Sequence, residues 1–201
     1  MNAIEKLASL FNEFPAIGPR QAKRFVYFLL RQSPIFLNDL AEKIAEIKQN
    51  IKICPSCFRY YTATGSLCNI CSDPSRSDDV LIVVEKDVDI DAIEKSGIHE
   101  GFYFVLGGSV PILDKEPERK ARIFELKEKL KKYGSKIKEI ILATSLTPEG
   151  ENTSEYIDSS LQDLQKEIGF KISQLGRGLS TGTEIEYSDK DTIKEALKNR
   201  H

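Results

Sequence analysis

Val80-Leu81-Ile82-Val83-Val84-Glu85 is an unbroken run of branched aliphatic residues that stops on a carboxylate. β-Branched side chains favour extended backbone, so the run reads as a strand. Outward from it, helical patterns alternate with similar short runs. Residues 89–96 suit a helix, Tyr103-Phe-Val-Leu-Gly-Gly108 a second strand, and residues 121–133 a strongly charged amphipathic helix. Ile137-Lys-Glu-Ile-Ile-Leu-Ala-Thr144 is a third strand, residues 154–168 a helix, and Phe170-Lys-Ile-Ser-Gln-Leu-Gly176 a fourth strand. Strands alternating with helices argue for βαβ units and a mostly parallel sheet, an α/β fold. The last stretch, residues 182–200, adds a short strand and a helix.

Upstream of the sheet, all four cysteines fall in two pairs, Cys54-Pro-Ser-Cys57 and Cys68-Asn-Ile-Cys71, ten residues apart. Two Cys-x-x-Cys knuckles point four sulfurs at one ion and complete the tetrahedron of a structural zinc, with no position open for water. Two disulfides or a redox dithiol are the alternatives. A disulfide scaffold suits a short secreted chain with more cysteines, and a thioredoxin-like motif needs one pair. The N-terminus lacks the basic and apolar regions of a signal peptide, and no apolar run reaches the length of a membrane span. A reducing cytoplasm is the expected location, one that keeps thiolates available to zinc.

The 201 residues carry a net charge of −2, which by itself does not mark a nucleic-acid binder. The distribution says more. Residues 1–52 hold eight Lys and Arg against five Asp and Glu, whereas residues 149–167 hold six acidic residues against Lys166 alone. A basic end and an acidic patch suit two partners of opposite character. Helical spacing runs through the first fifty residues, broken at Phe14-Pro-Ala-Ile-Gly-Pro-Arg20. There a glycine turn enters a helix at Pro19, a favoured first helical residue, with Arg20, Lys23 and Arg24 about one turn apart. This is the outline of a helix-hairpin-helix, which holds the DNA backbone through helix-end N–H groups without reading bases. An ordinary turn between helices with a solvated basic face fits the same residues.

Glu85 after the first strand, and Ser145-Leu-Thr-Pro-Glu-Gly-Glu151 after the third, fall at carboxyl ends of parallel strands, where α/β sheets bind ligands. The pair resembles the two signatures of a TOPRIM domain, in which a glutamate and two aspartates one residue apart hold magnesium. Ser145 and Thr147 stand where those aspartates would be, so the catalytic metal site looks dismantled and no enzyme is expected. Glu85, Glu149 and Glu151 then form a solvated strand end and helix start, a protein-contact patch, or a weak residual cation site. His99 and His201 have no sequence neighbour that suggests a metal or acid–base pair. Gly176–Thr183 is glycine-rich but lacks the Lys-Ser/Thr of a phosphate-binding loop.

In this order, the pieces resemble the bacterial RecR family of recombination mediators over nearly the whole chain. The carrying stretches are FPAIGPRQAKRFVYFLL, the cysteine pairs with CNICSDPSR, LIVVEKDVDIDAIEKSG, YFVLGG, EIILATSLTPEGENTSEYI and ISQLGRGLSTGTEIEYSDKDTIKEALKNR. The resemblance implies four parts: a helix-hairpin-helix unit over 1–52, a four-cysteine zinc finger over 53–75, a TOPRIM domain over 79–176, and a strand-helix segment over 177–201. It further implies a non-enzymatic, nucleoid-associated repair factor. Such proteins form ring-like tetramers around DNA and act with RecO and RecF to load RecA onto gapped DNA coated by single-strand-binding protein. By matching position, Arg20 and Arg24, with Lys23 beside them, are the DNA contacts. Cys54, Cys57, Cys68 and Cys71 are ligands to one structural zinc per chain. Glu85, Glu149 and Glu151 belong to an acidic RecO-facing surface. Ala16 departs from the family's hairpin, where glycine is usual; the spacer between the cysteine pairs is longer, and the segment after YFVLGG differs.

Overall fold

A computed structural model describes residues 1–62, 65–113, 119–176, 178–179, 182 and 184–198. His201 and four positions of the glycine-rich stretch, Arg177, Ser180, Thr181 and Thr183, lie outside the described residues. The chain divides into two compact units, Met1–Ile51 and Lys52–His201.

The first unit is helical: α1 spans Ala3–Asn12, α2 Pro19–Leu29 and α3 Pro34–Asn50. A capping box starts α1, with the Asn2 side chain accepting from the Glu5 N–H and Glu5 accepting from the Asn2 N–H. Ser33 caps α3 by accepting from the Phe36 N–H, and Pro34 occupies its first turn. Ala8, Ala22 and Val26 make a small core that Ile4, Leu7, Phe11 and Ile17 cover. The apolar spacing in α3 gives the expected helix, yet none of its residues is buried: Ile35 is 81% and Ile44 61% exposed.

In the second unit, β1 (Ile51–Ile53) and β2 (Tyr60–Thr62) form a two-stranded sheet around the first cysteine pair. Then follow β3 (Val80–Val84), α4 (Asp87–Ser96), β4 (Phe102–Val105), α5 (Ile123–Tyr133), β5 (Glu139–Ala143), α6 (Pro148–Ile168) and β6 (Lys171–Gln174). The sheet order is β4-β3-β5-β6 and every pairing is parallel. Successive side chains of a strand point to opposite faces, and both faces of this sheet are covered, which is why β3 is apolar throughout. Leu81, Val83, Ile140 and Leu142 pack with Ile123, Leu126 and Leu130 of α5 and Ile157 and Leu161 of α6. Ile82, Val84 and Tyr103 pack with Ile90 of α4 and with the cysteine segment.

Two elements differ from the sequence reading. The helix expected from Ser154 begins six residues earlier, because Thr147 caps it by accepting from the Gly150 N–H and Pro148 takes its first position. The short strand expected near residue 185 is instead a 3-10 turn, Ile185–Tyr187, followed by α7 (Lys190–Lys198). A strand needs a hydrogen-bonded neighbour, and among the described residues no strand pairs with this stretch.

Candidate functional site

The first cysteine knuckle closes through two backbone bonds, Phe58 N–H to Cys54 O and Cys54 N–H to Arg59 O, both 2.9 Å. This turn holds Phe58 at φ +63°, an uncommon conformation for a non-glycine residue. Packing fixes it there: the Phe58 ring lies 5.3 Å from that of Phe104 and 5.4 Å from the Arg122 guanidinium. The second knuckle turns through Ser72 N–H to Cys68 O at 3.0 Å, while the Cys71 N–H faces Cys68 Sγ at 3.5 Å.

Together the knuckles bring the four Sγ atoms within 4.8 Å of one another, with Cys54, Cys57 and Cys68 fully buried. Cys57 Sγ and Cys68 Sγ are 3.6 Å apart, far beyond the roughly 2.05 Å of a disulfide. A tetrahedron with metal–sulfur bonds of about 2.3 Å has edges of about 3.8 Å, so the set fits one ion. Four sulfurs this close cannot all carry a negative charge unless a cation shares it, so ionisation of the set and metal binding go together.

At the sheet's carboxyl edge, Val84 is in register with Ala143, so Glu85 leaves β3 opposite Thr144, one residue short of Ser145. Ser145 Oγ donates to Glu85 Oε2 at 2.5 Å, and Glu85 Oε1 has no hydrogen-bond partner among the described residues. Gly150 of α6 closes over both, since a Cβ there would collide with the Ser145 carbonyl. Glu85 is only 3% exposed, which removes it from the acidic surface expected from the sequence: the loop entering α6 covers the strand end. Glu149 and Glu151 are exposed on the first turn of α6. Among the described residues, the cysteines are the one group of three or more Cys, His, Asp or Glu spaced to hold an ion, so Glu85, Glu149 and Glu151 are not gathered into a second.

In the first unit, Gly18 precedes α2 without a side-chain cap, and space stands open where its Cβ would be. The first N–H groups of α2 therefore face outward with the positive end of the helix. Arg20, Lys23 and Arg24 are exposed beside them, and Arg24 Nη1 donates to Gln21 Oε1 at 3.3 Å. Ala16 adopts φ +62°, keeping the left-handed turn that glycine takes without strain.

Sequence reading passed over two sets of contacts. Arg76 Nη1 donates to Glu94 Oε1 at 3.0 Å and to the Gly101 carbonyl at 2.8 Å, its Nη2 pairs with Glu94 Oε2, and Tyr103 donates to Glu94 Oε1 at 2.6 Å. His99 stands edge-on to Tyr103 at 4.9 Å, and its Nε2 donates to the Phe102 carbonyl at 3.3 Å, a structural role. Lys129 of α5 donates to both oxygens of Ser56 at 2.9 and 3.0 Å, riveting the first knuckle to the sheet domain. Glu94 lies 9 residues from Tyr103 and 18 from Arg76, and Lys129 lies 73 from Ser56, so these pairings left no local signal.

Residues 79–176 match the family model of the Toprim domain. Over 201 residues the chain is 38% identical to recombination protein RecR of Desulfatibacillum aliphaticivorans, covering all of this chain and 95% of that one. It is 37% identical to the RecR protein of Bdellovibrio bacteriovorus, over all of this chain and 97% of its relative. With RecR of a Roseiflexus species identity is 33%, over 97% of this chain and 91% of that one.

Proposed function

Since the chain belongs to the RecR family of recombination proteins, we propose that it is a non-enzymatic, DNA-binding mediator of recombinational repair. It closes as a ring-like homotetramer on DNA and works with RecO and RecF to load RecA onto gapped DNA coated by single-strand-binding protein. The observation that carries this reading is similarity over the full chain, from the hairpin to the last helix. The open N-terminus of α2, with Arg20, Lys23 and Arg24 exposed beside it, supports backbone binding without base readout. Uncovered Ile35, Ile44 and Ile47 on α3 support association of copies, since a helix of this kind normally buries its apolar stripe.

Cys54, Cys57, Cys68 and Cys71 hold one structural zinc, which fixes the segment on the sheet and supplies no open coordination site. The four-part division, 1–52, 53–75, 79–176 and 177–201, belongs to the same reading. Glu149 and Glu151 form the partner-facing acidic surface, with Glu85 supporting it from behind. Ser145 occupies Glu85 and Thr147 caps α6, so neither hydroxyl is spare for metal chemistry, which supports a non-catalytic role. No described helix is long and apolar enough to cross a membrane, in keeping with a cytoplasmic, nucleoid-associated protein.

Light scattering of the protein alone and with a gapped duplex at low salt tests the clamp. A tetramer-sized particle that takes up DNA, and a flatter salt dependence for Arg20→Ala with Arg24→Ala, are expected. A monomer indifferent to DNA would overturn it.

A further inference from the structure

The four cysteines are not equally enclosed. Cys54, Cys57 and Cys68 have no exposed surface, whereas Cys71 is only partly buried and lines a cleft of about 690 Å³ between the cysteine segment and α5. It is the one cysteine of the four on that wall. Three acidic residues, Asp78, Glu125 and Glu128, and three basic ones, Lys129, Lys132 and Lys136, share the lining, so the cleft concentrates neither sign of charge. A small neutral molecule enters it without an electrostatic barrier. The two knuckles are also anchored unequally. The first is tied to the sheet by Lys129, which donates to both oxygens of Ser56, and by the Val105 N–H, which donates to the Cys57 carbonyl at 2.8 Å. The backbone bonds of the second close on the knuckle itself, Ser72 N–H to Cys68 O at 3.0 Å and Asp73 N–H to Ile70 O at 3.3 Å.

We propose that Cys71 is an oxidation site: a neutral peroxide that reaches it through the cleft converts the second knuckle to a Cys68–Cys71 disulfide and drives off the metal. This rests on the reading that the four cysteines hold zinc. A thiolate is both metal ligand and nucleophile, so the Cys71 sulfur keeps its capacity to attack. It takes one oxygen of hydrogen peroxide; the O–O bond breaks, its electron pair departs with the other oxygen as hydroxide, and Cys71 becomes a sulfenic acid. Cys68, whose Sγ faces the Cys71 N–H at 3.5 Å, is the thiolate at hand. Its attack on the Cys71 sulfur forms the S–S bond and expels a second hydroxide. Each hydroxide takes up a proton, so two thiolates lose two electrons and the peroxide leaves as two waters. Two ligands of the four then remain, too few for a closed tetrahedral set. The first knuckle stays on the sheet and the second is released.

The test uses the purified protein, whose zinc content is measured first. Absence of zinc before treatment would overturn the metal reading and this proposal with it; every later outcome bears on the proposal alone. Hydrogen peroxide is added with a chromophoric chelator that reports released zinc, and a neutral maleimide is added to a separate sample at less than one equivalent per chain. Fragment-ion mass spectrometry then locates the disulfide and the label. Maleimide is expected on Cys71 about tenfold ahead of any fully buried cysteine, since thiol reactivity follows exposure. Peroxide is expected to release zinc in step with the Cys68–Cys71 disulfide, and dithiothreitol with added zinc to restore the metal. Cys71→His keeps three cysteines and one histidine, a known structural zinc set, and is expected to slow the peroxide-driven release about tenfold. Should that variant bind no metal, the labelling order in the unmodified protein decides. Label spread evenly over the four cysteines, or appearing first on Cys54, Cys57 or Cys68, would overturn the proposal, as would zinc release with no Cys68–Cys71 disulfide.

Discussion

Ser145 donates its hydroxyl to Glu85 Oε2 at 2.5 Å, across the junction of two parallel strands where α/β proteins place their ligands. The hydroxyl gives a nearly buried carboxylate a hydrogen bond in place of water or a cation. An aspartate at 145 would instead set a second carboxylate against Glu85, and two like charges in a shared site cannot both ionise cheaply. Ser145→Asp should therefore lower the stability of zinc-saturated protein by about 1–3 kcal/mol in magnesium-free buffer, with part of the loss recovered in millimolar magnesium. Chemical denaturation with and without magnesium measures both. A variant as stable as the parent without magnesium would show that the Ser145–Glu85 bond contributes little.

Ala16 holds φ +62° at the turn into α2. The left-handed conformation costs a residue with a Cβ roughly 1–2 kcal/mol, while glycine loses more backbone entropy on folding, about 0.5–1 kcal/mol. The balance favours Ala16→Gly by up to about 1 kcal/mol. A higher denaturation midpoint in the helical unit is expected; a lower one would mean that the turn relaxes around alanine.

Removal of one thiol tests the metal centre. Cys57 is buried, and its carbonyl accepts from the Val105 N–H at 2.8 Å, so the knuckle is continuous with the sheet. Metal binding free energy is folding free energy for such a segment, roughly 10–16 kcal/mol in small zinc fingers. Cys57→Ser, or chelation of the parent protein, should cost several kcal/mol of that and reduce bound zinc below one per chain. Full metal content and an unchanged melting curve in the variant would exclude Cys57 as a ligand.

What was legible in the sequence was whatever has a short period or a short spacing. The Val80–Val84 run, the alternation of strands and helices, and the cysteine pairs are local patterns, and each appears where the residues place it. Glu85 was legible as a strand-end carboxylate, but its burial was not, because the covering Gly150 lies 65 residues away in sequence. Helix α6 hid its start behind Thr147-Pro-Glu-Gly, polar residues that fix an N-terminus by capping rather than by apolar periodicity. β1 and β2, three residues each, are too short to show a period of two.

The Arg76–Glu94–Tyr103–His99 cluster should make stability fall on acidification in two stages. Partial burial lowers His99 below its ordinary 6.5, because a charged imidazole beside Tyr103 loses solvent. Burial opposes the Glu94 carboxylate as well, but hydrogen bonds from Arg76 and Tyr103 outweigh it and hold the group below its ordinary 4.5. Both folded values lie below the unfolded ones, so the unfolded chain takes up each proton first, and stability is lost as pH falls. The His99 contribution is complete above about pH 6.5 and declines as pH drops toward its folded value; that of Glu94 is complete above about 4.5 and is lost below. Denaturation midpoints of zinc-saturated protein from pH 8 to 5 measure the first stage, and His99→Gln should flatten it while leaving the plateau near its parent height. Glu94→Gln should instead lower the plateau, since it leaves the half-buried Arg76 guanidinium without its carboxylate at every pH. A slope between pH 6.5 and 5 that is the same in His99→Gln as in the parent would place the titrating group elsewhere.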